Sequence, residues 1–124
     1  MTIMEAISAV DKLAPNAYSQ EEKIRWLWEV DSRIKTEVMD VHEGAPIREL
    51  IPYTPDTSPD TILLAPAPHD EMYLRYLQAQ MDYHNAEYGR YNNAMAMFDT
   101  AFEAYAKQYT REHMPLSRGR RFLF

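Results

Sequence analysis

The sequence predicts an all-α protein: a helical bundle of two N-terminal helices packed on one long C-terminal helix, with a long proline-rich loop before it. Three observations carry this. Apolar residues recur at helical spacing near the start of the chain. SQEE at 19–22 has the form of a helix cap. From Leu74 to Tyr109, large side chains follow one another at steps of 3 and 4 without a proline.

The first helix is short. Ile3, Ala6, Ile7 and Val10 share a face and Leu13 follows; Pro15 closes it, because a residue before proline is pushed out of the helical region. In the second helix, Ser19 caps and Glu22 stands three residues on. Its apolar face runs Ile24, Leu27, Ile34, Val38 and Val41, interrupted by Asp31, and Gly44 and Pro46 end it. Trp26 and Trp28 lie about 200° apart on such a helix. One enters the core, and the other sits at a rim, beneath the loop or against another subunit.

Residues 44–69 form the loop, with six of the eight prolines of the chain. IRELI and TILL are apolar patches in it, read as short strands or extended arms. A loop of this length is unusual in a compact domain and is commonly functional or disordered.

The third helix is read as continuous. Leu74, Leu77, Met81, His84, Tyr88, Tyr91, Met95, Phe98, Phe102, Tyr105 and Tyr109 form a 3.5-residue repeat. The phase runs through Gly89, Asn92 and Asn93, so one helix, kinked near Gly89, is expected, with two helices as the alternative. Its length would be roughly 60 Å. The two shorter helices could not cover it. The uncovered stripe, with Tyr88, Tyr91, Met95, Phe98, Phe102 and Tyr105, would then be an interface between copies or with partners, joined by Trp26 and Trp28. If the chain turns back instead, a closed bundle buries the stripe.

Residues 1–116 thus form a single helical domain, and 117–124 a basic, apolar C-terminal tail. The chain of 124 residues has a net charge of −6, which disfavours a nucleic-acid-coating role. The tail departs from this balance: Arg118, Arg120 and Arg121 are candidates for contact with DNA or an acidic partner, and Phe122-Leu123-Phe124 for anchoring in a groove. Glu5 and Asp11 interrupt any signal-peptide core, and no apolar run approaches the roughly 18 residues of a membrane span.

Chemistry is hard to place. With no cysteine there is neither a disulfide nor a thiolate ligand. HEGAP at 42–46 has Pro46 where a zinc-binding HExxH needs histidine. No Glu-x-x-His pair marks a di-iron bundle, and no glycine-rich phosphate loop occurs. His84 reads as a core histidine on the seam, and Asp31 as the partner of an Arg or Tyr from the long helix. No catalytic residue, metal or cofactor is expected.

NAYSQEEKIRWLWEVDSRI, PDTILLAPAPHDEMYLRYL and MDYHNAEYGRYNNAMAMFDTAFEAYAKQYTREHMP together resemble the head–tail connector (adaptor, head-completion) proteins of tailed bacteriophages and prophages of Gram-positive bacteria. The resemblance spans about Met1 to Pro115 and leaves out SRGRRFLF. It implies a mostly helical structural protein without catalysis, assembling as a homo-oligomeric ring of about twelve copies. Such a ring sits beneath the portal protein at the capsid–tail junction of the virion, joins tail-completion or tail proteins, and lines the channel where packaged DNA passes. During assembly the chain would be in the host cytoplasm, with no membrane association. Two other readings stand beside it: a small regulatory or binding protein acting as a closed-bundle monomer, and a DNA-binding accessory protein acting through its tail.

Overall fold

The computed structural model describes residues 1–44 and 50–115. Its elements are α1 (Ile3–Leu13), α2 (Gln20–Ile34) continued by a π-helical turn (Lys35–Met39), α3 (Glu71–His84) and α4 (Tyr88–Glu112). The protein is all-α, with two isolated β-bridges and no strand among the described residues.

The first two helices start where local chemistry satisfies some of their first N–H groups. Thr2 and Glu5 form a reciprocal capping box on α1, a signal the apolar spacing alone did not draw out. Ser19 accepts from the Glu22 amide at the start of α2, as SQEE predicts. The apolar face of α1 is buried through Ile3, Ala6, Ile7 and Val10, whereas Leu13 is 62% exposed. On α2, Trp26 enters the core and Trp28 packs edge-on against Tyr53 of the loop, ring centroids 5.3 Å apart. Val41 lies past the helical residues and is exposed.

The long helix is corrected. The chain doubles back between His84 and Tyr88, and α3 and α4 pair as an antiparallel hairpin. Ring pairs Tyr83–Tyr91, Tyr76–Phe98 and His69–Tyr105 step down the hairpin in a constant register. The turn is a Schellman motif: the Glu87 amide donates to the Asp82 carbonyl and the Ala86 amide to that of Tyr83. Ala86 supplies the left-handed residue, with φ of 58°. The break therefore precedes Gly89, which lies inside the first turn of α4. The seam residues on either side of the break, His84 and Tyr88, are both exposed, so their spacing reflected no buried face.

This turn gives a test by sign. Ala86→Gly removes the left-handed penalty and is expected to raise stability by about 1 kcal/mol. In a continuous helix the same change would lower it by a similar amount. Gly89→Ala is also expected to stabilise, by roughly 0.5–1 kcal/mol, because a Cβ there meets nothing within 4 Å. Thermal unfolding of the two variants checks both.

The third helix, α3, is the central element: α1, α2 and α4 all pack on it. Its Met72, Tyr73, Leu77 and Met81 meet Leu27, Val30 and Ile34 of α2 and Phe98, Phe102 and Tyr105 of α4 in one core cluster. The Arg33 guanidinium of α2 lies 4.4 Å from the centre of the Phe102 ring and 5.7 Å from that of Phe98. The described part of the loop carries no helix or strand. Its TILL stretch lies along the start of α1, where the Ile3 amide donates to the Thr61 carbonyl and the Leu63 amide to that of Met1. Leu63 and Ala65 thereby join the core. Most of IRELI, residues 47–49, lies outside the described residues.

Candidate functional site

Among the described residues, Asp31 is the most deeply buried ionisable side chain. It sits on the core face of α2 with no exposed surface. Its Oδ1 accepts the Tyr73 hydroxyl at 2.5 Å, and its Oδ2 accepts the Tyr53 hydroxyl at 2.5 Å and the Leu64 amide at 3.2 Å. The Tyr73 oxygen in turn accepts the Ala65 amide at 2.8 Å. One carboxylate thus ties α2, α3 and both arms of the loop together. The sequence pairs Asp31 with an Arg or Tyr of the third helical segment, and Tyr73 fills that role. Tyr53 and the two loop amides carry no local signal: they lie 22 to 34 residues away from Asp31 and are brought there by folding.

Burial pushes the Asp31 carboxyl above its ordinary value, while the two tyrosine hydroxyls and the Leu64 amide pull the other way. Burial and the Asp31 charge raise both tyrosines. Among the described residues no buried side-chain nitrogen or oxygen lacks a partner. With each of these neighbours a donor already engaged, this cluster has the form of a structural latch.

The native carboxyl holds its proton more tightly than the unfolded one. Its contribution to stability is therefore full below the ordinary value of 3.8 and is lost as pH rises through the raised native value. The gap in unfolding free energy between the native protein and Asp31→Asn is expected to shrink as pH rises across that window. Urea titrations between pH 4 and 7 measure it, and a gap that widens instead would show that the donors hold Asp31 as an anion.

The interface candidates divide. Trp26, Phe98, Phe102 and Tyr105 are buried within the chain's own core and are not surface residues, which corrects that expectation. Burial raises Tyr105 to about 12, with Tyr109, Asp31 and Glu112 adding to it. Trp28, Tyr91 and Met95 are half-buried, and Tyr88 is 58% exposed. His84 is likewise corrected: it is exposed and stacks on the Trp26 ring at 5.7 Å, with Tyr83 and Tyr18 alongside. Arg118, Arg120 and Arg121 lie outside the described residues.

Two further clusters were not foreseen. His42 bridges the Val38 carbonyl through Nδ1 and Thr110 Oγ1 through Nε2, with its ring edge-on to Tyr109, so it ties the end of the π-helical turn to α4. At the other end of the molecule, a groove of about 630 Å³ runs between the C-terminal end of α1 and the α3–α4 turn. Leu13 and Met97 stand among its lining residues, with Asn85, Asn93, Asp82 and Glu87, and Arg90 beside them. Burial and the Glu87 charge push Asp82 up, against the pull of Arg90, whose guanidinium lies 3.3 Å from Glu87.

Among the described residues no group of His, Asp or Glu is arranged to hold a metal, and no helix is long and apolar enough to cross a membrane. In comparisons with known proteins, no family model, curated protein or solved structure matches the chain.

Proposed function

We propose that the protein is a structural adaptor of the head–tail connector type. It would dock beneath the portal protein at the capsid–tail junction, form a ring there with further copies, and present a surface to tail proteins around the DNA channel. The observation that carries this is the resemblance of three stretches covering most of the chain, of which MDYHNAEYGRYNNAMAMF is the tip and first turns of the α3–α4 hairpin. Two features support it. The buried polar chemistry is spent on holding the loop to the bundle, which suits a protein whose task is shape. The hairpin tip presents Tyr83, Tyr88 and part of Tyr91 to the outside, residues of the type that anchor protein interfaces. The rest of the aromatic seam gives no support, because the hairpin consumes it.

The test is reconstitution with the portal protein. Co-sedimentation of the chain with portal rings in fixed stoichiometry is expected, and absence of any complex at micromolar concentrations would overturn the reading. Closure of the bundle favours a second description of the isolated chain, a monomeric binding module. Light scattering coupled to size exclusion is therefore expected to give about one chain mass, 14.6 kDa, before the portal is added. A chain that stays monomeric and ignores the portal is the closed-bundle binding protein instead.

A further inference from the structure

We propose that the groove between the end of α1 and the α3–α4 turn receives the basic segment 117–124 of a second copy of this chain. This deepens the adaptor reading by naming the contact between copies.

The groove and the segment match in chemistry. Leu13, 62% exposed, and Met97, 47% exposed, give the groove apolar walls that the bundle leaves uncovered. Asp82 and Glu87 put two carboxylates beside a single arginine, Arg90, so the site carries an excess of negative charge. Asn85 and Asn93 offer amide groups suited to a peptide main chain. The sequence SRGRRFLF brings three arginines, no acid and two phenylalanines. Its arginines answer the carboxylates, and its aromatic rings answer the Leu13 and Met97 walls.

The arginines of the segment cannot meet the carboxylates of the groove within their own molecule. Pro115 is bridged to His42, and His42 bonds Thr110, so the segment leaves the fold level with Thr110. From there to Glu87, the nearer of the two carboxylates along the chain, is about 35 Å along α4, at about 1.5 Å per residue. The stretch from Pro115 to Arg121 spans at most roughly 20–22 Å fully extended. Even with about 7 Å of arginine side chain added, the guanidinium groups fall short of the carboxylates of their own groove, so they meet those of a neighbour. Such a contact joins one end of a copy to the opposite end of the next. It is heterologous, and repeated with a closing rotation it generates a ring. One peptide contact is weak alone and becomes effective once copies stand side by side, through effective concentration.

The experiment titrates the ¹⁵N-labelled full chain with a synthetic peptide of residues 115–124. Saturable shifts are expected at Asn85, Arg90, Asn93 and Met97, weakening as salt is added. Glu87→Lys and Met97→Glu, both at exposed positions, are each expected to weaken binding by at least tenfold. Replacing the three arginines of the peptide by alanine is expected to do the same. The proposal is overturned if no saturable shifts appear at millimolar peptide, if they map instead to the Tyr83–Tyr88 face, or if both protein variants bind unchanged. Portal binding is read separately, so a negative result here removes the contact between copies and leaves the portal test standing.

Discussion

Phe98→Ala is expected to lower the unfolding free energy by about 4 kcal/mol, within the range for aromatic truncation in a packed core. Phe98 is completely buried. Its ring meets Tyr76 across the hairpin at 5.1 Å and Phe102 along α4 at 5.7 Å, with the Arg33 guanidinium lying over it. Three helices meet at this ring, so no single side chain can move in to refill the space. The corresponding drop in Tm is expected to exceed about 10 °C for a chain of this size. The measurement also separates two roles for the seam. A core residue changes the stability of the isolated chain, whereas an interface residue changes association and leaves the monomer alone. Urea unfolding with light scattering on the same sample reads both. An unchanged monomer stability would restore the seam as an interface and contradict the hairpin.

Asp31→Ala is expected to cost about 3 kcal/mol near neutral pH. The loss does not come from the carboxylate itself, whose burial is unfavourable. It comes from the donors left behind: the Tyr73 hydroxyl, the Tyr53 hydroxyl and the Leu64 amide all lose their acceptor, and each buried orphan costs roughly 1–3 kcal/mol. Tyr53 is only half-buried and can turn to water, which keeps the total below the sum. The damage is local in a way that hydrogen exchange can see. Amides of residues 53–65 are expected to lose protection in Asp31→Ala, while those of α4 keep theirs. Tyr73→Phe tests the same latch from the other side and leaves Ala65 N–H without its partner. If the loop amides stay protected in Asp31→Ala, the loop is held by Leu63 and Ala65 alone and the latch is not the fastening.

Local signals read correctly where their cause was local. SQEE fixed the start of α2, and Pro15 lies just past the end of α1. The opposite directions of Trp26 and Trp28 followed from helix geometry, with one in the core and one beneath Tyr53. Asp31 stood out as a polar residue on an apolar face. The fold-back stood only as the alternative because its marks are weak. The left-handed residue of the turn is Ala86, where glycine would have announced the break, and the nearby Gly89 drew attention to a place that is ordinary helix. The groove beside the turn could not be read at all, since Leu13 and Met97 lie 84 positions apart and are related only by packing.

By itself, then, the sequence determined the all-α class, the caps, the apolar faces and the presence of one carboxylate that had to find donors. These depend on neighbours within a turn or two of helix, and the chain states them directly. Tertiary structure decided whether the aromatic seam faces inward or outward, which donors Asp31 takes, and where an uncovered groove remains. A 3.5-residue stripe is equally well satisfied by a second molecule or by the chain's own preceding helix. The hairpin carries about 1 kcal/mol of backbone strain at one alanine, and the packing of α4 on α3 offsets it.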